Sequence, residues 1–458
     1  MTNTASAADS VGPPTKGAES TRGEPPAAER TTAAPPVDLY VHVVLVALIG
    51  AVVVLAWLVA YGALSRLLWQ NEFVLANRWM FPVICLPTSL LVGWLVKYRH
   101  APTTLDETLL DSLAGDVSKI DWRTLPVNVV MAMASLLSGA VLGPEGGIGG
   151  IASKVAALYG DKVGIPVQHR SRLVFATIAA AYNGMIASPL LTAVLGTELV
   201  TDPTSRTLNL PANLIGGAIG YMVFFAVGAT GLQDYLSLPA ARPYAPIDIV
   251  LVVGFGLIGM LLGLLSGALF RVTGALFGRL KGREIERALA AGLVFSVAGM
   301  IAPILMFSGE AEIKTIAADP VAYGVAALIA MSLGKIVLLA VSYKSGFLGG
   351  PTFPAIYASV CAGLAISLVA PGIPVDLIIG GIMGGFLLVL FRAPLLVILV
   401  TAVMLQASTQ LVALILLAVA VVMVVLPYLL AGLGRRGIAP RRARRGRAGS
   451  AEPQADQP

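Results

Sequence analysis

The sequence predicts an all-α polytopic membrane protein, and three observations carry that prediction. Of 458 residues, 57% are hydrophobic and only 12% charged, with a mean hydropathy of +0.84; a water-soluble domain of this length needs far more charge to cover its surface. Apolar runs follow one another from Leu39 to Leu64, Phe81 to Val96, Leu125 to Leu142, Leu173 to Val200, Leu210 to Val227, Ile247 to Phe270, Ala288 to Phe307, Val321 to Val341 and, with short breaks, Ala355 to Leu433. At about 20 residues per span they amount to roughly ten to twelve embedded segments. Glycine and proline interrupt several of them, which predicts broken, re-entrant helices beside full spans.

The ends differ in composition from the middle. Residues 1–37 are rich in Ala, Pro, Thr, Ser and Glu without an apolar core of signal-peptide type, and read as a disordered tail before a membrane domain at 38–433. Residues 434–458 carry Arg435, Arg436, Arg441, Arg442, Arg444, Arg445 and Arg447, and a second basic cluster, Arg271, Arg279, Lys281, Arg283 and Arg287, separates two long apolar runs. The positive-inside rule puts both clusters in the cytoplasm, the tail as a topology anchor or a contact for anionic lipid rather than for nucleic acid. Cys85 and Cys361 lie in apolar runs and read as small buried hydrophobes, with no disulfide or metal site expected.

The chain echoes itself. VLGPEGGIGGIAS (141–153) resembles FLGGPTFPAIYAS (347–359), and downstream of each comes a second pair, SPLLTAVL (188–195) and APLLVILV (393–400). Two blocks recurring in the same order predict duplicated halves, about 40–230 and 246–433. In transporters built this way the site sits at the repeat interface, where interrupted helices point their N-termini at the substrate. Such a terminus carries free N–H groups and about half a positive charge, so two of them make an anion site without a full charge. Glu145, inside the first cluster, is then a candidate gate and proton carrier, because a carboxylate competes with an anion when ionised and leaves when protonated.

Other charges are less specific. Glu198 closes SPLLTAVLGTE as a helix-end group or a partner for a cation, Glu310 and Glu312 read as a solvated loop, and Lys335, flanked by apolar residues, neutralises an acid, attracts anions or snorkels.

Four stretches in order, LPVNVVMAMASLLSGAVLGPEGG (125–147), FATIAAAYNGMIASPLLTAVLGTE (175–198), SGFLGGPTFPAIYAS (345–359) and LFRAPLLVILVTAVM (390–404), resemble the CLC family of chloride channels and proton/chloride exchangers from about Pro102 to Leu411. The resemblance implies a homodimer with one anion pore per subunit, inverted halves, both termini in the cytoplasm and residence in the cell membrane of a bacterium. It places Glu145 at the gating glutamate and the amides of Gly146, Gly147, Thr352 and Phe353 at the anion. Where the family reads G-S-G-I-P this chain reads TTLDE (103–107), with Thr104 supplying the hydroxyl. Pro144 and Pro351 stand where each would remove an amide donor. The family's internal proton-transfer glutamate aligns with Leu199, so Glu198, one residue before it, is the candidate to deliver protons in its place beside Glu145, and the family's late tyrosine has no counterpart at matching spacing.

The resulting expectation is a chloride or similar anion channel or proton-coupled exchanger, without cofactor or metal and not an enzyme. Two alternatives stand beside it: a transporter of another solute on a related two-half fold, and an intramembrane hydrolase using Ser138, which would need a base among His42, His100 and His169.

Overall fold

The computed structural model describes residues 37–104, 120–199, 203–228 and 242–433, with the single positions 117, 236 and 238. The tail before Val37, the basic tail from residue 434 and Leu105 to Glu107 lie outside the described residues, as does the side chain of Leu199. The first half contains α1 (Val37–Trp69), α2 (Glu72–Ala76), α3 (Met80–Arg99), α4 (Leu125–Leu137), α5 (Glu145–Val163), α6 (Val167–Ile186), α7 (Leu191–Leu199) and α8 (Pro203–Ala226). The second contains α9 (Asp248–Gly278), α10 (Glu284–Ile301), α11 (Glu310–Ala318), α12 (Gly324–Lys344), α13 (Thr352–Val369), α14 (Val375–Phe391), α15 (Pro394–Met404) and α16 (Thr409–Leu433). Seven are long and apolar enough to cross a membrane: α1, α3, α8 over Ser205–Ala226, α9, α12, α13 and α16 over Thr409–Ala431.

Two faces of the bundle can be traced. On one, the end of α5 meets the start of α4 through the Trp122 indole, which donates to Asp161 at 2.7 Å, and His42 near the start of α1 meets Tyr159 at 2.9 Å. The end of α3 and the α9–α10 turn share a cavity of about 710 Å³ on this face, lined by Lys97, Arg99, Lys154 and Arg287 among others. On the opposite face the Arg242 guanidinium grips Asp248 at the head of α9 and the Gly372 carbonyl beyond α13. Helices α5 and α13 therefore leave the middle of the molecule toward opposite faces, which is the inverted repeat.

Small residues let the helices approach closely. A Cβ on Gly216 or Gly220 of α8 would stand 2.1 or 1.9 Å from the Ala176 or Ala180 carbonyl of α6. Without water to hide from, embedded helices gain cohesion from such close packing rather than from burial of apolar surface.

The apolar run from Leu173 to Val200 is two helices. Ala187 ends α6 in the left-handed region at φ 54°, and Ser188 and Pro189 follow outside helix. The buried Asn183 side chain repairs the break, donating to the Pro189 carbonyl at 2.7 Å and accepting from the Thr192 amide at 3.0 Å and hydroxyl at 2.9 Å. Backbone groups freed inside a membrane need such replacements. The α14–α15 junction repeats the device with Arg392 at φ 54° before Ala393 and Pro394. Glu310 and Glu312 do not lie in a loop: they head α11. His169 lies in the first turn of α6. Cys85 and Cys361 are buried free thiols.

Replacing Gly220 by Val forces a backbone shift and costs about 1–3 kcal/mol or more, so the purified protein loses thermal stability in detergent. Gly254→Val, where a Cβ meets nothing within 4 Å, leaves the melting temperature unchanged.

Candidate anion site

The two Gly/Pro clusters meet at the centre of the molecule. Gly143 and Gly350 form an antiparallel bridge, each amide donating to the other's carbonyl at 2.8 and 2.9 Å. On either side a serine of one half accepts an amide of the other: Val141 N–H donates to Ser342 Oγ at 2.8 Å and Leu348 N–H to Ser135 Oγ at 3.0 Å. The same offset in the chain separates Ser135 from Ser342, Val141 from Leu348 and Gly143 from Gly350. The halves thus match one residue away from the alignment that the sequence suggests: Pro144 pairs with Pro351, and Glu145 with Thr352.

That register changes the reading of the prolines. Pro144 and Pro351 are the N-caps of α5 and α13, with nearly equal backbone angles (φ −71°, ψ −6° and φ −88°, ψ −5°), and their carbonyls accept the Ile148 and Ala355 amides. Each removes only the donor of its own cap. Glu145, Gly146 and Gly147 at the head of α5, and Thr352 and Phe353 at the head of α13, keep N–H groups with no intrahelical acceptor. Pro354, in the next position of α13, is the proline that removes a first-turn donor.

Glu145 lies across the bridge. It is 3% exposed, and a Cβ on Gly143 or Gly350 would stand 2.0 or 2.4 Å from its Oε2, so a side chain at either position would displace the carboxyl. Its carboxyl faces the Thr352 hydroxyl and the Thr352 and Phe353 amides, none at full hydrogen-bond geometry: neither oxygen has a hydrogen-bond partner among the described residues. The Glu145 carboxyl therefore lies without a hydrogen-bond partner among the described residues where two helix N-termini converge.

The surroundings fix that geometry. The Tyr182 hydroxyl of α6 donates to the Glu145 carbonyl. Asn128 of α4, fully buried, donates to the Gly147 carbonyl at 3.4 Å and accepts from Lys154 at 3.4 Å. Gly146 packs on Gly349, where a Cβ would stand 3.0 Å from the backbone. Sequence reasoning missed Tyr182, Ser135, Ser342 and Asn128. For the serines the signal was present, since they share the spacing of the Gly/Pro clusters.

Of the residues singled out from sequence, Glu145, Gly146, Gly147, Thr352 and Phe353 come together here. Thr104 is half-buried after Pro102 and Thr103, which line the basic cavity below. Glu198 belongs to another junction: its oxygens accept the Leu395 and Leu396 amides at 2.7 and 2.9 Å, clamping the N-terminus of α15 from the other half. Ser138 Oγ donates to the Ser135 carbonyl at 2.7 Å and accepts from the Ala140 amide at 3.3 Å. Lys335 does not snorkel; it is fully buried.

Comparison with known proteins bears on the fold and the family. A relative in Escherichia coli (strain SE11), named ion-transport protein YfeO, is 23% identical over 364 residues, 76% of this chain and 84% of its own. The structure of a slow cyanobacterial Cl⁻/H⁺ antiporter superposes with a TM-score of 0.71 at 19% identity, covering 90% of this chain and all of that one. A CLC-type fluoride/proton antiporter gives a TM-score of 0.65 at 16% identity over 85% and 96% of the two chains. The family model for the voltage gated chloride channel matches residues 88–426, and the chain belongs to that family.

Proposed function

We propose that the chain carries a small inorganic anion, chloride first, across the membrane between the N-termini of α5 and α13, with Glu145 as gate. The observation that carries this reading is the buried, unpartnered Glu145 carboxyl lying over Gly143 and Gly350. Ionised, it fills the anion's place; protonated, it loses its attraction to the helix termini and yields. The amides of Gly146, Gly147, Thr352 and Phe353 then hold the ion weakly enough for it to leave, as conduction requires. Thr104, next to Thr103 of the basic cavity, supplies a hydroxyl on the path to that side. The basic face is cytoplasmic by the positive-inside rule, and the family resemblance supports a homodimer in a bacterial cell membrane with both termini inside.

Similarity to a Cl⁻/H⁺ and a fluoride/proton antiporter supports proton coupling. The position of Glu198 argues for weak coupling. A proton arriving on its carboxyl displaces one of the two amide bonds that hold α15, so proton passage there competes with the junction between halves.

Chloride and fluoride efflux from reconstituted liposomes tests the gate. A one-proton gate changes its open fraction by at most about tenfold per pH unit; wild-type efflux rises on acidification within that limit, and Glu145→Gln runs fast and flat with pH. A Glu145→Gln protein with the wild-type slope contradicts the gate and favours a transporter of another solute. Glu198→Gln weakens a helix cap, lowering stability by about 0.5–2 kcal/mol. It leaves the pH-dependent shift of the reversal potential as in wild type, and abolition of that shift would instead make Glu198 the proton carrier.

A further inference from the structure

A second acid, Glu310, follows a turn that packs against the α4–α5 junction on the face opposite the basic cavity. Lys335, midway along α12, donates from Nζ to the carbonyls of Leu305 at 3.3 Å and Met306 at 2.9 Å, and lies 4.2 Å from the centre of the Tyr357 ring. The Tyr357 hydroxyl donates to the Ile304 carbonyl at 3.1 Å. Gly309, at φ 93°, has no room for a Cβ, which would stand 2.5 Å from Tyr357 Cδ2 and 2.8 Å from Lys335 Nζ. Residues 304–309 are therefore pinned by α12 and α13. The turn points inward: Met306 Cε reaches the place a Cβ on Gly139 would take, at the α4–α5 junction that leads to Glu145, and the Phe307 ring lies 5.1 Å from Trp69.

Glu310 emerges from this pinned turn as the first residue of α11. Ser308 Oγ donates to it at 2.9 Å. The charged or titratable groups around it are Glu145 from α5, Glu312 from its own helix, Lys335 from α12 and Tyr61 from α1. Helix α11 is outside the seven spans. Burial, with repulsion from Glu145 and Glu312, pushes Glu310 up to about 7, against the opposing pull of the Ser308 hydroxyl and Lys335.

We propose that Glu310 is the acid through which protons from this face reach Glu145, with Lys335 and Tyr357 as positioning residues that hold its turn over the gate. The neutral Glu310 carboxyl releases its proton, which passes through intervening solvent to the Glu145 carboxylate, and is left ionised; Glu145 becomes neutral and yields its place to the anion, and Glu310 takes a new proton from solution. The inference rests on the gate reading and extends it, because a gate buried to 3% exposure needs a route for its proton.

The test is anion efflux from liposomes after an acid jump on the α11 face. Glu310→Gln slows the response by at least about tenfold, and Glu310→Asp restores it. Ser308→Ala leaves the acid in place and removes the hydroxyl that favours its charged form, so Glu310 keeps its proton to higher pH and the midpoint of the pH profile of the acid-jump rate moves up. A wild-type acid-jump response in Glu310→Gln overturns the relay, as does an unmoved or lowered midpoint in Ser308→Ala. Glu145→Gln, measured alongside, separates the two readings: if it is flat with pH while Glu310→Gln behaves as wild type, the relay alone fails; if it keeps the wild-type profile, the gate itself fails.

Discussion

Two helix N-termini cannot converge inside a membrane without something negative between them. Each brings about half a positive charge and several amides without intrahelical acceptors, and burial screens them poorly. In this chain the convergence is held by the paired Gly143 and Gly350 amides and by the crossed bonds to Ser135 and Ser342, and the Glu145 carboxyl lies over it. The rest of the bundle serves that junction: α4 and α12 present the serines, α6 presents Tyr182, and the inverted course of α5 and α13 brings their starts to one point.

Because the bridge crosses between halves, neither half completes the site alone. The duplicated Gly-Pro steps explain why. Glycine on both sides of the bridge leaves room for the Glu145 carboxyl, which any Cβ there would meet, and a proline at each N-cap fixes φ at the cap. The asymmetry lies in the residue that follows: Glu145 in one half, Thr352 in the other. One acid at a two-fold junction can balance both termini, whereas two would repel each other across the bridge.

Much of this was legible in the sequence. Membrane class follows from composition, the halves from repeated Gly/Pro clusters, and Glu145 from the rarity of acids inside apolar stretches. The one-residue error in matching the halves arose because runs of glycine and aliphatic residues align almost equally well at neighbouring registers; only the Gly143–Gly350 bridge fixes the choice. Pro144 looked like a lost donor because sequence does not show that it caps its helix. Asn183, Tyr182 and Lys335 were illegible for another reason: each is polar and buried, and its partners lie on segments brought near only by folding. Glu310 and Glu312 were read as a solvated loop from local polarity, although the turn before them is pinned by Lys335 and Tyr357 of distant helices.

The central claim is that one carboxyl and one anion compete for the same place. Competition of this kind is reciprocal, since a proton that removes the carboxylate favours the anion by the same factor that the anion favours the proton. Calorimetric titration of the purified protein with chloride in buffers of different ionisation enthalpy measures it directly. Net proton uptake accompanying chloride binding, lost in Glu145→Gln, is the predicted result; chloride binding with no proton linkage in the wild-type protein contradicts the account.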